Sequence, residues 1–215
     1  MVRKDRKERA TLMTPNTGDM VITHTVKPST FNRLTELATG SQAHHVQTMR
    51  DPCTHFSNQP PHAVDIPHIR MVADALAGVR VFAVYRWYKW ASMPSNYPDY
   101  VEYRTAVRGA IYMADTLKIK YDWLGPVSLA WNALRKHIPG LRNSKRFLNS
   151  YRKFFCSEGA AQYQLAAGID LASYLPPQPT HDDGVPYLAP VHFARFARAG
   201  LLRLVEDHGL HELIA

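Results

Sequence analysis

The chain has two cysteines, and only one of them has surroundings suited to chemistry. Cys156 follows an aromatic, strand-like stretch and opens an Ala-rich, helix-like one, whereas Cys53 lies in a Pro-rich loop that gives a thiol no fixed geometry. A thiol at the start of a helix meets unsatisfied N–H groups and the positive end of the helix dipole, which stabilise a thiolate. The same N–H groups can bind the oxyanion of an attacked carbonyl. We therefore expect Cys156 to be a candidate nucleophile, far more reactive than Cys53.

A cysteine nucleophile needs an imidazole that moves the thiol proton and a polar group that orients the imidazole. His44 and His45 are adjacent at the start of a strand-like segment. Successive side chains of a strand face opposite ways, so only one of the two can face the thiol. From the residue types alone, a buried cysteine that packs as a small hydrophobe is the commoner explanation of Cys156.

Alternating and helical patterns predict an α+β fold, with a small antiparallel sheet and helices at its side. The predicted strands cover residues 20–26, 44–49, 62–66, 79–85 and 151–155. Two predicted helices cover residues 28–39 and 99–118. A third begins near Cys156, and the last begins at Pro190 and has a buried side that reaches Val205. In this interpretation residues 1–13 are a basic, flexible tail, and residues 14–215 form a single catalytic domain.

Composition limits the classes of protein to consider. The 215 residues are 46% hydrophobic, enough to bury a core, which excludes a mainly disordered chain. No apolar run approaches the roughly 20 residues that span a bilayer, and the charged N-terminus is not a Sec signal peptide. We therefore expect a cytoplasmic protein with free thiols. The net charge of +8 permits an acidic partner such as nucleic acid, but no nucleic-acid-binding motif accompanies it, so we do not expect that partner.

Histidines are concentrated in one part of the chain, which raises the alternative of a metal site. Six of the 11 histidines fall at positions 24, 44, 45, 55, 62 and 68. No pair has the i, i+4 spacing that places two ligands on one helix face. The sequence therefore predicts neither a metal nor another cofactor.

Several short motifs follow one another in a characteristic order. They are Gly18-Asp19, Thr39-Gly40-Ser41, His44-His45-Val46, Tyr121-Asp122-Trp123-Leu124-Gly125 and Phe155-Cys156-Ser157-Glu158, with a further match at Tyr187-Leu188-Ala189-Pro190. This order resembles the circularly permuted branch of the papain-like (NlpC-type, YiiX-like) cysteine hydrolases. In that branch the histidine strand precedes the cysteine helix, as it does here.

The resemblance implies a circularly permuted papain-like fold and a role for single residues. It implies Cys156 as the nucleophile, His45 as the base and Asp65, in the segment after the histidine strand, as the group that orients the imidazole. The supporting positions are His44, Tyr121 and Glu158. Of these, Glu158 is expected to have a capping role in the first turn of the helix.

Two departures from the family pattern concern the pocket. Gly159-Ala160 replaces a bulky apolar pair after the cysteine, so the helix either packs more tightly or opens the pocket. The Pro-rich insertion over residues 52–61 is expected to overhang the site.

The resemblance and the residues together predict a thiol-dependent amidase or endopeptidase that acts through an acyl-cysteine intermediate. A peptidoglycan peptide or a related amide is the expected substrate, as for a phage-type cell-wall hydrolase. Two alternatives stay open: a lipid or ester acyl hydrolase-transferase, and a non-catalytic binding or virion-structural protein that keeps the fold.

Overall fold

The computed structural model describes residues 13–29, 32–33, 36, 41–59, 61–121, 153–154, 156–176 and 188–214, with only the backbone at 121, 153 and 154. The predicted tail, up to residue 12, lies outside the described residues. Most of the helix predicted over 28–39 also lies outside them, although residues 32, 33 and 36 are helical.

Six strands form one antiparallel sheet, which confirms the predicted α+β class. The strands are β1 (Met20–Thr25), β2 (His45–Asp51), β3 (Thr54–Ser57), β4 (Val64–Pro67), β5 (Arg80–Trp87) and β8 (Leu202–His208). Their spatial order is β4-β3-β2-β1-β5-β8, so β1 and β2 lie at the centre. Two short strands, β6 (Lys120–Tyr121) and β7 (Lys153–Phe154), form a separate two-stranded parallel sheet.

The helices flank this sheet. They are α1 (His68–Leu76), α2 (Tyr88–Ala91), α3 (Pro98–Thr116), α4 (Cys156–Ala166), α5 (Pro190–Arg198) and α6 (His211–Ile214), with a 3-10 turn at Leu171–Tyr174. The long helix α3 buries Val107, Ile111 and Ala114, as its spacing of apolar residues predicts. Within the described ranges, every helix falls short of the length and apolar character that crossing a membrane requires.

Helices cover both faces of the sheet. On one face, Val46 and Phe56 belong to a buried cluster that includes Tyr163 of α4. On the other face, Met49 packs in a second cluster with Met71 of α1. Successive side chains of a strand point to opposite faces of the sheet. In β2, Val46 therefore points toward α4, whereas His45 and Met49 point toward α1.

Strand β3 and helix α1 are not predicted from the sequence. Thr54 pairs with Asp51 across a tight turn, in which the Asp51 Oδ1 accepts a hydrogen bond from the N–H of Cys53 at 2.8 Å. An aspartate that bonds the backbone two residues later favours such a turn. The expectation that the whole insertion over residues 52–61 overhangs the site is therefore wrong, because its middle is a strand of the sheet.

The last predicted helix is too long. Helix α5 begins at Pro190 as predicted but ends at Arg198. Gly200 then adopts a φ of +73°, a conformation that ends helices and favours glycine. Val205, which the sequence assigns to the buried side of this helix, instead lies in β8 and packs on the α1 side of the sheet.

Gly18 meets a steric need at the start of β1. Its φ is +89°, and a Cβ at this position would lie 2.7 Å from the Tyr103 hydroxyl oxygen. Gln164 of α4 donates through Nε2 to the Gly18 carbonyl oxygen at 2.9 Å. The first residue of the Gly18-Asp19 motif therefore joins the central strand to α3 and α4.

Candidate active site

Cys156 is the first residue of α4, and it is only 5% exposed. The backbone N–H of Val46 in β2 is close enough to the thiol to lower its pKa, against the larger effect of burial. That nitrogen belongs to the peptide bond after His45, so the thiol lies against the peptide unit that joins His45 to Val46. The cysteine helix and the histidine strand meet at this peptide unit.

Burial raises the pKa of the Cys156 thiol to about 11, because a thiolate there would lose its solvation. Hydrogen bonds from Val46 and Ser157 oppose this effect, and the negative charge of Glu158 adds to it. The sequence predicts a thiolate stabilised by the helix start, whereas in the structure burial raises the pKa of the thiol and so favours its protonated form.

Iodoacetamide is therefore expected to modify the exposed Cys53 faster than the buried Cys156 at neutral pH. The thiolate is the reactive form, so a thiol with a pKa of about 11 reacts slowly at neutral pH and faster as the pH rises toward that value. Peptide mass spectrometry over a pH series measures both rates in one sample. Faster labelling of Cys156 than of Cys53 at neutral pH would instead mean that the helix start dominates over burial.

His45 is held by a neighbouring strand. Its Nε2 lies 2.7 Å from the Oγ of Ser57 in β3. Burial, reinforced by the charge of Arg80, lowers the pKa of His45 to about 4, so the ring is neutral at physiological pH. When Nε2 carries the proton and donates it to Ser57, the lone pair lies on Nδ1, the ring nitrogen nearer the main chain.

The thiol and the imidazole approach their shared peptide unit from different faces of the sheet. Helix α4 covers the face of Val46. Arg80, whose charge acts on His45, donates to the Met71 sulfur of α1 on the other face. Among the described contacts of Cys156, none is to an imidazole nitrogen. The structure therefore brings the two residues to one peptide unit without placing the ring on the thiol.

Asp65 lies in β4, away from the contact that His45 makes. Arg50 donates through Nη1 to the Asp65 Oδ2 at 2.6 Å, and the Asp65 side chain is 42% exposed. Burial raises the pKa of this carboxyl, although the Arg50 charge opposes the shift. The hydrogen-bond partner of His45 is instead Ser57. Sequence analysis misses Ser57 because it does not predict β3, and so takes β4 as the strand next to the histidine.

The supporting residues are placed differently. Glu158 is buried in the first turn of α4, where a capping role requires it to be. His44 is engaged at both ring nitrogens: Nε2 lies 2.6 Å from the Glu36 Oε1, and Nδ1 accepts from the Thr25 N–H at 3.2 Å. The side chain of Tyr121 lies outside the described residues.

Gly159 allows α4 to approach the sheet closely. A Cβ at this position would lie 1.8 Å from the Nδ2 of Asn58. Asn58 in turn donates to the Tyr163 hydroxyl at 3.0 Å. The sequence leaves open whether Gly159 lets the helix pack more tightly or opens the pocket. The structure supports tighter packing, because Asn58 occupies the space that a side chain at position 159 would need.

A second polar cluster lies where β1 ends and β2 begins. One ligand-type atom from each of His24, Glu36 and His44 lies within 4.8 Å of the others. The sequence spacing of these residues does not reveal the cluster, because His24 and His44 lie at two strand ends and Glu36 lies in the connection between them. The test for i, i+4 pairs addresses only ligands on one helix.

Comparisons with known proteins yield a distant structural likeness. No protein-family model matches the chain, and no curated protein matches it. Among solved structures, the chain is similar to the metalloprotein yiiX from Escherichia coli O157:H7, with 19% sequence identity and a TM-score of 0.46. The match covers 74% of this chain and 69% of that chain.

Proposed function

We propose that the protein is a thiol-dependent hydrolase that cleaves an amide or ester bond through an acyl-cysteine intermediate. The observation that carries this proposal is the position of Cys156 at the start of α4, beside the backbone of Val46. Val46 follows His45, the first residue of β2, so a thiol at a helix start lies next to the strand that begins with histidine. His45 serves as the base, and Ser57 orients its ring from β3.

The proposed reaction has the following steps. The Cys156 Sγ attacks the carbonyl carbon, and the π electrons of the carbonyl move to oxygen. Because the ring and the thiol lie on different faces of β2, the thiol proton passes to the Nδ1 of His45 through one water molecule. Backbone N–H groups at the start of α4 stabilise the oxyanion. The tetrahedral intermediate expels the amine or alcohol, which takes the proton from His45. Water then gives a proton to the imidazole and hydrolyses the thioester, which releases the acid and restores the thiol.

Deprotonation of the thiol accompanies attack in this proposal. The resting thiol is protonated at neutral pH because burial raises its pKa to about 11. A peptidoglycan peptide or a related amide is the substrate class that we propose, on the resemblance of the motif order to NlpC-type hydrolases. Amides and esters both give a thioester with the enzyme, so a test must include both.

Intact-mass spectrometry of the acyl-enzyme tests the proposal. The protein is mixed with activated amide and ester acyl donors, including peptides derived from peptidoglycan, and quenched in acid to preserve a thioester. We expect the mass of the acyl group on the wild-type protein and on Cys53→Ala, and no adduct on Cys156→Ala. An adduct that persists in Cys156→Ala, or folded wild-type protein that no donor acylates, would overturn the proposal.

A further inference from the structure

We propose that His24, Glu36 and His44 bind a divalent cation of the zinc class. The two histidines are neighbours across the central strand pair, because Thr23 of β1 pairs with His45 of β2. Their ring centroids are 4.5 Å apart. Glu36, a helical residue in the connection between the two strands, contacts both rings.

The three side chains already converge on one point. The Glu36 Oε1 lies 2.6 Å from the Nε2 of His44 and 3.5 Å from the Nδ1 of His24. Two imidazole nitrogens and one carboxylate oxygen are a donor set that Zn²⁺ and neighbouring transition metals use at three-ligand sites. Mg²⁺ and Ca²⁺ prefer oxygen ligands alone. The donor set therefore selects a transition metal, with a fourth position left for water or another ligand.

Burial distinguishes this cluster from charged residues on a solvated surface. The side chain of His44 is 3% exposed, that of His24 is 13% exposed, and that of Glu36 is 25% exposed. A cation bound here forms ligand bonds to both rings and to the carboxylate.

Proton positions show how each ring would bind. The Nδ1 of His24 lies 2.8 Å from the carbonyl oxygen of Gln42, which can only accept, so this nitrogen carries the proton in the metal-free protein. It is also the His24 nitrogen that lies 3.5 Å from Glu36, so cation binding there shifts the proton to Nε2 and breaks the bond to Gln42. The Nδ1 of His44 accepts from the Thr25 N–H at 3.2 Å, so its proton is on Nε2. Cation binding at this Nε2 shifts the proton to Nδ1 and breaks the long Thr25 bond.

Metal content and Co²⁺ absorption test the site on the full chain. The protein is stripped with a chelator, dialysed against Zn²⁺ or Co²⁺, and measured for bound metal and thermal stability. We expect about one zinc ion per chain, a rise in Tm with Zn²⁺ but not with Mg²⁺, and visible Co²⁺ bands without a thiolate charge-transfer band. The absent thiolate band separates this site from binding at Cys53 or Cys156.

Three variants assign the metal to these residues. Glu36→Gln keeps the shape of the side chain and His24→Ala removes one ring, and each is expected to lose the bound zinc and the Tm rise. His62→Ala, which removes an exposed histidine elsewhere, should keep both. Zinc content that is unchanged in the folded Glu36→Gln and His24→Ala proteins, or wild-type protein that retains no zinc, would overturn the proposal. Neither result depends on whether the protein is a hydrolase.

Discussion

Replacement of His45 by alanine is expected to lower kcat by about 10²- to 10⁴-fold, the range that a positioned general base contributes. The Nε2 of His45 is held by Ser57, so Nδ1 is the ring nitrogen nearer the peptide unit against which the Cys156 thiol packs. The measurement is kcat on the acyl donor that forms the Cys156 adduct. His62→Ala removes an exposed histidine and should leave kcat unchanged. A folded His45→Ala protein with wild-type kcat would require another base.

Two further variants identify the group that orients the imidazole of His45. Ser57→Ala removes one hydrogen bond, whose net worth of about 0.5–1.5 kcal/mol corresponds to a loss of roughly two- to tenfold in kcat. Asp65→Asn should leave kcat near the wild-type value, because Asp65 pairs with Arg50. If Asp65 orients the ring, as the family resemblance implies, its loss should approach the ~10⁴-fold seen for the third member of a serine triad. The comparison therefore decides between β3 and β4 as the source of that group.

The difference between Ser57 and Asp65 shows what the sequence can and cannot predict. The positions of Cys156 and His45 follow from local patterns, a strand that enters a helix and a strand that starts with histidine. The partner of His45 depends on which strand lies beside β2, and that depends on a two-residue turn at Pro52 and Cys53. A four-residue strand inside a Pro-rich segment has too few residues to show an alternating pattern.

Long-range contacts explain the other failures of prediction. The pKa of Cys156 depends on how completely α4 covers it, which the helix start alone cannot reveal. The cluster of His24, Glu36 and His44 forms only because β1 and β2 are adjacent in the sheet. The i, i+4 spacing identifies metal ligands that lie on one helix. Ligands on two paired strands are distant in sequence and become neighbours only through the pairing of the strands.

Arg86→Met is expected to lower the free energy of unfolding by about 3–5 kcal/mol, the usual cost of leaving one partner of a buried ion pair alone. Asp19 accepts hydrogen bonds from the Nε and Nη2 of Arg86, each at 2.8 Å. It also accepts from the Asn16 N–H at 2.8 Å. Methionine keeps much of the length of arginine, so the loss reflects the uncompensated Asp19 carboxylate more than a cavity.

The pH dependence of this loss has a defined sign. Burial raises the pKa of the Asp19 carboxyl, and the Arg86 hydrogen bonds and charge oppose that rise. Without Arg86, the folded protein therefore holds the Asp19 proton to a higher pH than the unfolded chain does. A raised pKa in the folded state adds stability at low pH that is lost as the pH rises, so the deficit should be larger at about pH 7 than at about pH 5.

Urea unfolding at both pH values measures the deficit, with Lys118→Met as the control. Lys118 pairs with Asp115 at 3.2 Å on the surface, and an exposed pair contributes only about 0–1 kcal/mol. A large deficit confined to Arg86→Met would mean that the Gly18-Asp19 motif serves the fold, since Asp19 anchors the central strand through Arg86 of β5. Equal stability of the two variants would remove that explanation, and the carboxylate of Asp19 would then need a role in substrate binding or catalysis.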